Sequence, residues 1–129
     1  MKVKVTPSKV HGNVKIPASK SMAHRALICA SLSDGTSLVS NVTNSKDIEA
    51  TVGCMKALGA IIKQIDETTY EVTGTNLFKQ EGNITCNANE SGSTLRFLIP
   101  LAACTNAKVK FLGQGRLLQR PMDVYANEF

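Results

Sequence analysis

Apolar and polar positions change period repeatedly along this chain, and each change marks an element. Val3–Val5 alternate like a short strand, and Gly12–Ile16 like another, with the turn-prone Thr6-Pro7-Ser8 between them. From Ser19 to Leu32 the period lengthens: Met22, Leu27, Ile28 and Leu32 recur at helical spacing. Asp34-Gly35 stops that helix, and Thr36–Ser40 is a predicted strand. Asn44-Ser45-Lys46-Asp47 offers a cap with an acid in the first turn. The helix behind it carries Ile48, Val52, Met55 and Leu58 and ends near Gly59. Ala60–Ile65 and Thr69–Thr73 form a predicted hairpin around Asp66-Glu67, and Ile84–Cys86 is a further short strand.

The pattern then repeats. Aligning Arg25 with Arg96 places Leu27-Ile28 over Leu98-Ile99, Leu38 over Val109, and the Asp34-Gly35 stop over Thr105-Asn106. The second helix contains Pro100, which lacks an N–H, so a late start or a kink is expected. Beyond a predicted strand at Lys108–Leu112, Pro121-Met122-Asp123-Val124-Tyr125 opens a helix that matches the one at Ser45 and meets Phe129 inside its second turn. The chain therefore contains about one and a half copies of a β-α-β-α-β-β unit, an α/β (α+β) fold. An end inside a helix leads us to expect a part of something longer.

Composition narrows the chemistry. With 129 residues, 43% of them hydrophobic, the chain can bury a core of its own. The formal charge of +5 fits anionic partners, but the 15 basic residues are scattered, aromatics are 5% and Trp is absent, which argues against nucleic acid. Cys29, Cys54, Cys86 and Cys104 are widely spaced, three in predicted helices and one at a strand end, so neither a disulfide framework nor a metal site is expected. The N-terminus is no signal peptide and no apolar run reaches membrane-spanning length, so a cytoplasmic protein without membrane contact is expected.

The candidate chemistry lies where loops enter helices. Ser19-Lys20-Ser21 opens the first helix and Arg25 follows four residues after Ser21, on the same helical face. Asn89-Glu90-Ser91-Gly92-Ser93 opens the second, with Arg96 in its first turns. Gly113-Gln114-Gly115-Arg116 leads through Arg120-Pro121 into a third cationic helix start. Free N–H groups and the positive dipole end at a helix start attract anions, and an Arg fork matches two phosphate or carboxylate oxygens. Taken singly, Ser19 is also explained as a cap beside solvated Lys20 and Arg25, and Gly92 as a helix-entry glycine. The first two starts together point to a substrate, or a substrate pair, with several anionic groups, and the third adds to that order and spacing.

The ordered set Ser19-Lys20-Ser21-x-x-x-Arg25-Ala26-Leu27, Ser91-Gly92-Ser93-Thr94-Leu95-Arg96 and Gly115-x-x-x-x-Arg120-Pro121-Met122 resembles the N-terminal portion of the 5-enolpyruvylshikimate-3-phosphate synthases, in the enolpyruvyl transferase family. The resemblance covers essentially the whole chain. It implies a fold of repeated β-α-β-α-β-β units in two domains that close on shikimate 3-phosphate and phosphoenolpyruvate, with no metal or organic cofactor. Residues 1–16 would be N-terminal strands that pack with or cross to the other domain, and 17–129 an incomplete substrate-binding domain. By motif, Ser21 and Arg25 resemble the residues that hold shikimate 3-phosphate, and Lys20 the lysine between both substrates. Gly92 and Arg120 resemble groups around phosphoenolpyruvate, with Lys20 and Arg120 as the implied catalytic cations and Arg96 in an electrostatic supporting role. Glu90 departs from the Asn that the family often has two residues before this glycine. His11 and His24 lie outside the motifs and Asp47 and Asp123 read as first-turn acids, so proton-transfer groups are expected from a domain beyond this chain. Two rival readings predict different things. The sister UDP-N-acetylglucosamine enolpyruvyl transferases carry Lys-Asn where Lys20-Ser21 stands and a Cys in the loop matching 113–119, which here has none. A non-catalytic anion-binding fragment would expose cut strand edges and self-associate.

Overall fold

Ser19 caps the first helix as its sequence predicts. Its hydroxyl accepts from the Met22 N–H, and α1 runs Lys20–Leu32. After the short strand β1 (Thr36–Val39), Ser45 caps α2 (Lys46–Ala57) by accepting from the Ile48 N–H. Asp47 and Glu49 stand at the positive end of α2 and Lys56 at its negative end. Strands β2 (Ile61–Gln64) and β3 (Tyr70–Thr73) form the expected hairpin, and β3 also pairs with β1, giving an antiparallel sheet of order β1-β3-β2. The second unit opens with β4 (Glu81–Asn87), passes through α3 (Gly92–Ala102), and returns in β5 (Asn106–Leu112) parallel to β4. A parallel pair requires such a crossover. The computed structural model describes residues 2–128, and the last described element is α4 (Asp123–Glu128).

One core serves both units. Leu27 of α1, Ile48, Cys54 and Met55 of α2, Val72 of β3, Cys86 of β4 and Leu98 of α3 are completely buried and belong to one cluster. Burying a side chain the size of Leu27 or Leu98 is worth about 2 kcal/mol. The four cysteines are free thiols, Cys54 and Cys86 inside, Cys29 and Cys104 outside.

Several expectations are corrected. Neither Val3–Val5 nor Gly12–Ile16 is a strand: residues 2–19 have no regular structure, and Val3, Val5, Val14 and Ile16 are more than 70% exposed. Alternation supplies an apolar face, but a strand also needs a partner for its backbone and cover for that face, and no described strand supplies them. Pro100 neither delays nor prevents α3, which starts at Gly92 and holds Pro100 near its last turn. The proline has no N–H for the Arg96 carbonyl four residues back, and the Tyr125 hydroxyl donates to that oxygen instead, at 3.1 Å. Cys104 lies just past α3 rather than inside it. The β4 and β5 strands extend over polar residues that periodicity hid, because Glu81–Asn83 pair in register with Asn106–Lys108. The approach to α4 is a 3₁₀ turn, Gly115–Gln119, and Pro121 stands two residues before the helix. The expected helix end at Phe129 lies outside the described residues.

Candidate active site

Lys20 is the first residue of α1, so its side chain leaves from the helix start. Its Nζ donates to Asp47 Oδ2 at 2.6 Å, tying the start of α1 to the start of α2. Both side chains are partly solvated, at 53% and 33% exposure, so the pair contributes little to stability and is cheap to open. Ser21 is exposed beside it. Arg25 reaches back one turn to donate from Nη1 to the Ser21 carbonyl at 2.9 Å. Its guanidinium also lies 5.1 Å from the centroid of the Phe97 ring of α3, a cation–π contact that fixes the plane of the fork.

The second start is built by two loops that continue the β4–β5 pairing. The Ala88 N–H donates to the Leu112 carbonyl and the Gln114 N–H to the Asn89 carbonyl, both at 2.8 Å. Asn89 has φ +50° and its N–H is held by the Asn87 side chain, turning the chain sharply into Ser91. Ser91 caps α3 by accepting from the Thr94 N–H at 3.2 Å. The amides of Gly92 and Ser93 have no backbone partner among the described residues. These two N–H groups form an open helix start.

Arg120 closes over that start. A Cβ on Gly92 would collide with Arg120 Nη1, so only glycine lets the guanidinium approach the backbone this closely. The Glu90 carboxylate lies against Gly115, whose φ is +57° and where any side chain would overlap Glu90 Oε1.

The three helix starts are adjacent. The Thr94 hydroxyl lies 3.3 Å from the Asp47 carbonyl, so α2 and α3 meet at the same end where Lys20 meets Asp47. Lys20, Ser21, Arg25, Gly92 and Arg120 are thereby grouped around neighbouring helix starts. Arg96 is not brought into the group by any described contact. It is exposed, its guanidinium makes no ion pair or hydrogen bond among the described residues, and its structural contribution is the carbonyl that Tyr125 uses. A polar cleft of about 570 Å³ opens beside the group, lined by Lys46, Asp47, Glu49, Asn89, Glu90 and Gln114. With three carboxylates against one ammonium, that cleft by itself does not suit an anion.

Sequence reasoning missed the groups that hold the starts together. Asp47 is more than a dipole-compensating acid, since it anchors Lys20. Phe97 gives Arg25 its platform. Beneath them His24 Nδ1 bonds Thr51 Oγ1, Thr51 bonds Thr94 Oγ1, and Thr94 bonds Ser91 Oγ, each at 2.7 Å. His24 is 1% exposed, and burial, with Lys20 and Arg25 adding to it and Asp47 opposing, pushes its pKa below the ordinary value. The only sequence signal for this network was a polar residue at each of the inward positions 24, 51 and 94.

The fold is similar to that of EPSP synthase from Acinetobacter baumannii, with a TM-score of 0.78 over 90% of this chain and 27% of that one, at 21% identity. Among curated relatives, 3-phosphoshikimate 1-carboxyvinyltransferase of Clostridium perfringens strain SM101 is 51% identical over 99% of this chain. Those of Clostridium kluyveri and Clostridioides difficile are 49% and 46% identical over 98% of it. This chain spans about 30% of the length of these relatives. The family model described as EPSP synthase (3-phosphoshikimate 1-carboxyvinyltransferase) matches residues 4–128, nearly the whole chain, which therefore belongs to that family.

Proposed function

We propose that this chain forms one wall of the site in which the enolpyruvyl group of phosphoenolpyruvate is transferred to the 5-hydroxyl of shikimate 3-phosphate. The observation that carries the reading is the meeting of Gly92 and Arg120, which sets an Arg fork against a helix start with two open amides. That corner suits the phosphate or carboxylate of phosphoenolpyruvate. Ser21 and Arg25, one turn apart on α1, take the phosphate of shikimate 3-phosphate. Lys20 stands between the two and exchanges Asp47 for a substrate oxygen when the site fills.

In the reaction the 5-hydroxyl adds to the enol carbon while its proton leaves and the methylene carbon gains one. The tetrahedral intermediate then loses a proton from the new methyl group and releases phosphate, leaving an enolpyruvyl ether. Lys20 and Arg120 stabilise the negative charge on the phosphate and carboxylate through these steps, an effect that in fixed geometry is worth several kcal/mol of barrier. Of the described carboxylates near the site, Asp47 is held by Lys20, while Glu49 and Glu90 line the adjoining polar cleft. We assign acid and base to the polypeptide that makes up the rest of these relatives' length, of which this chain spans about 30%, and this chain alone is inactive. Residues 2–16, with their alternating exposed Val3, Val5, Val14 and Ile16, find strand partners in that same polypeptide.

Calorimetric titration of the chain with shikimate 3-phosphate, against unphosphorylated shikimate, tests the reading. Binding that needs the phosphate and weakens in Arg25→Ala is expected. A folded chain that binds both compounds equally, or neither, would remove the half-site from this wall.

A further inference from the structure

His24 is a buried titratable group that the site residues leave unused. It lies inside α1 with Nδ1 on Thr51, while Nε2 has no hydrogen-bond partner among the described residues. An unpaired buried N–H costs more than an unpaired lone pair, so the proton belongs on Nδ1 and Nε2 is left bare. The rest follows from one proton per hydroxyl. Nδ1–H donates to Thr51 Oγ1, Thr51 donates to Thr94 Oγ1, and Thr94 donates to Ser91 Oγ at 2.7 Å in preference to the Asp47 carbonyl at 3.3 Å. Ser91 Oγ then accepts twice, from the Thr94 hydroxyl and the Thr94 N–H, so its own proton must point out of the network. Ser91 adjoins Gly92, where the amides are open and Arg120 waits.

We infer that His24 is a positioning residue, fixed as the Nδ1–H tautomer, which orients the relay Thr51–Thr94–Ser91 so that the Ser91 hydroxyl donates to an anion seated at the Gly92–Arg120 corner. The relay crosses α1, α2 and α3, so it also holds the three helix starts in one arrangement. The opposite tautomer reverses every hydroxyl, buries an unpaired Nε2–H, and withdraws the Ser91 donor. Asp47 from α2, and Lys20 and Arg25 from α1, are the charges that act on the ring. The inference on the corner rests on the proposed function, while the tautomer does not.

Two measurements test it separately. Two-bond ¹⁵N–¹H correlation of the labelled, ligand-free chain is expected to show His24 with Nδ1 protonated and Nε2 bare, and a protonated Nε2 overturns the inference. Titration with phosphoenolpyruvate then compares His24→Leu with His24→Asn, whose amide keeps a donor where Nδ1–H stands. The Leu variant is expected to bind about tenfold more weakly and the Asn variant within about twofold of the parent. In a Ser91→Ala background, His24→Leu is expected to add nothing further. Additive losses, or equal losses in Leu and Asn, would reduce His24 to a packing residue and overturn the positioning role. Should the parent chain not bind phosphoenolpyruvate, the functional reading fails and the tautomer alone decides this inference.

Discussion

The starts of α1 and α3 are built from one local recipe and put to different use. Each helix is capped by a serine that accepts from the N–H three residues on, Ser19 from Met22 and Ser91 from Thr94. Matching the caps sets His24 over Arg96 and Arg25 over Phe97, one residue out of step with the alignment of the two arginines. That single step decides the chemistry. In α1 the arginine faces α3 and stacks on Phe97, while the inward position holds His24. In α3 the arginine is turned to solvent and its place at the site is taken by Arg120, which arrives from a different loop. A repeat can thus conserve the anion-attracting helix start while each copy draws its cation from wherever the packing delivers one.

The sheets differ as well. The first unit has three antiparallel strands with α1 and α2 packed on them, and its tolerance to change is set by close backbone contact. Gly74 shows this most sharply: a Cβ there would run into the Ser33 carbonyl and stand 3.2 Å from the Ala30 carbonyl. Gly74→Ala is expected to cost about 3 kcal/mol in urea unfolding, the largest effect here, and a cost below about 1 kcal/mol would show that the first unit is loosely joined. Thr51→Val comes next. It strands His24 Nδ1–H and removes the donor to Thr94, so a loss of about 2 kcal/mol is expected, with the two helix starts uncoupled.

The arginine comparison is broken by a pair of truncations. Arg25→Ala is expected to weaken shikimate 3-phosphate binding by about tenfold or more, and Arg96→Ala by less than about threefold, read by calorimetry. Equal losses would mean that the two arginines serve the site alike. A subtler test is acid. The folded-state pKa of His24 lies below its ordinary 6.5, so below pH 6.5 the unfolded chain takes up a proton that the folded chain refuses. Stability is therefore expected to rise with pH and to fall as pH drops below 6.5, by at most about 1.4 kcal/mol per pH unit from this group. Melting curves of the parent and His24→Asn isolate that contribution, and identical pH profiles would exclude it. The smallest effect is a gain: Gly53 is exposed inside α2 with nothing near its missing Cβ, so Gly53→Ala is expected to stabilise by about 0.5–1 kcal/mol.

The sequence by itself determined whatever depends on a few neighbouring residues. Ser19 and Ser45 announced their helices because a cap is a bond across three residues, and Asp66-Glu67 marked its hairpin because a turn is equally local. Family motifs picked out Lys20, Ser21, Arg25, Gly92, Arg96 and Arg120, and the fold gathers five of them around adjacent helix starts, with Arg96 left facing solvent. Only the tertiary structure decided what depends on partners far along the chain. Val3–Val5 and Gly12–Ile16 have the pattern of strands but pair with no described strand, and pattern alone cannot supply a partner. Pro100 was tolerated because Tyr125, twenty-odd residues later, donates to the carbonyl it abandoned. His24 looked like a stray polar residue on a helical face until Thr51, Thr94 and Ser91 stood in line with it. A hydrogen bond has its value only when both ends are placed, and for these residues the second end was set by the packing of α1, α2 and α3.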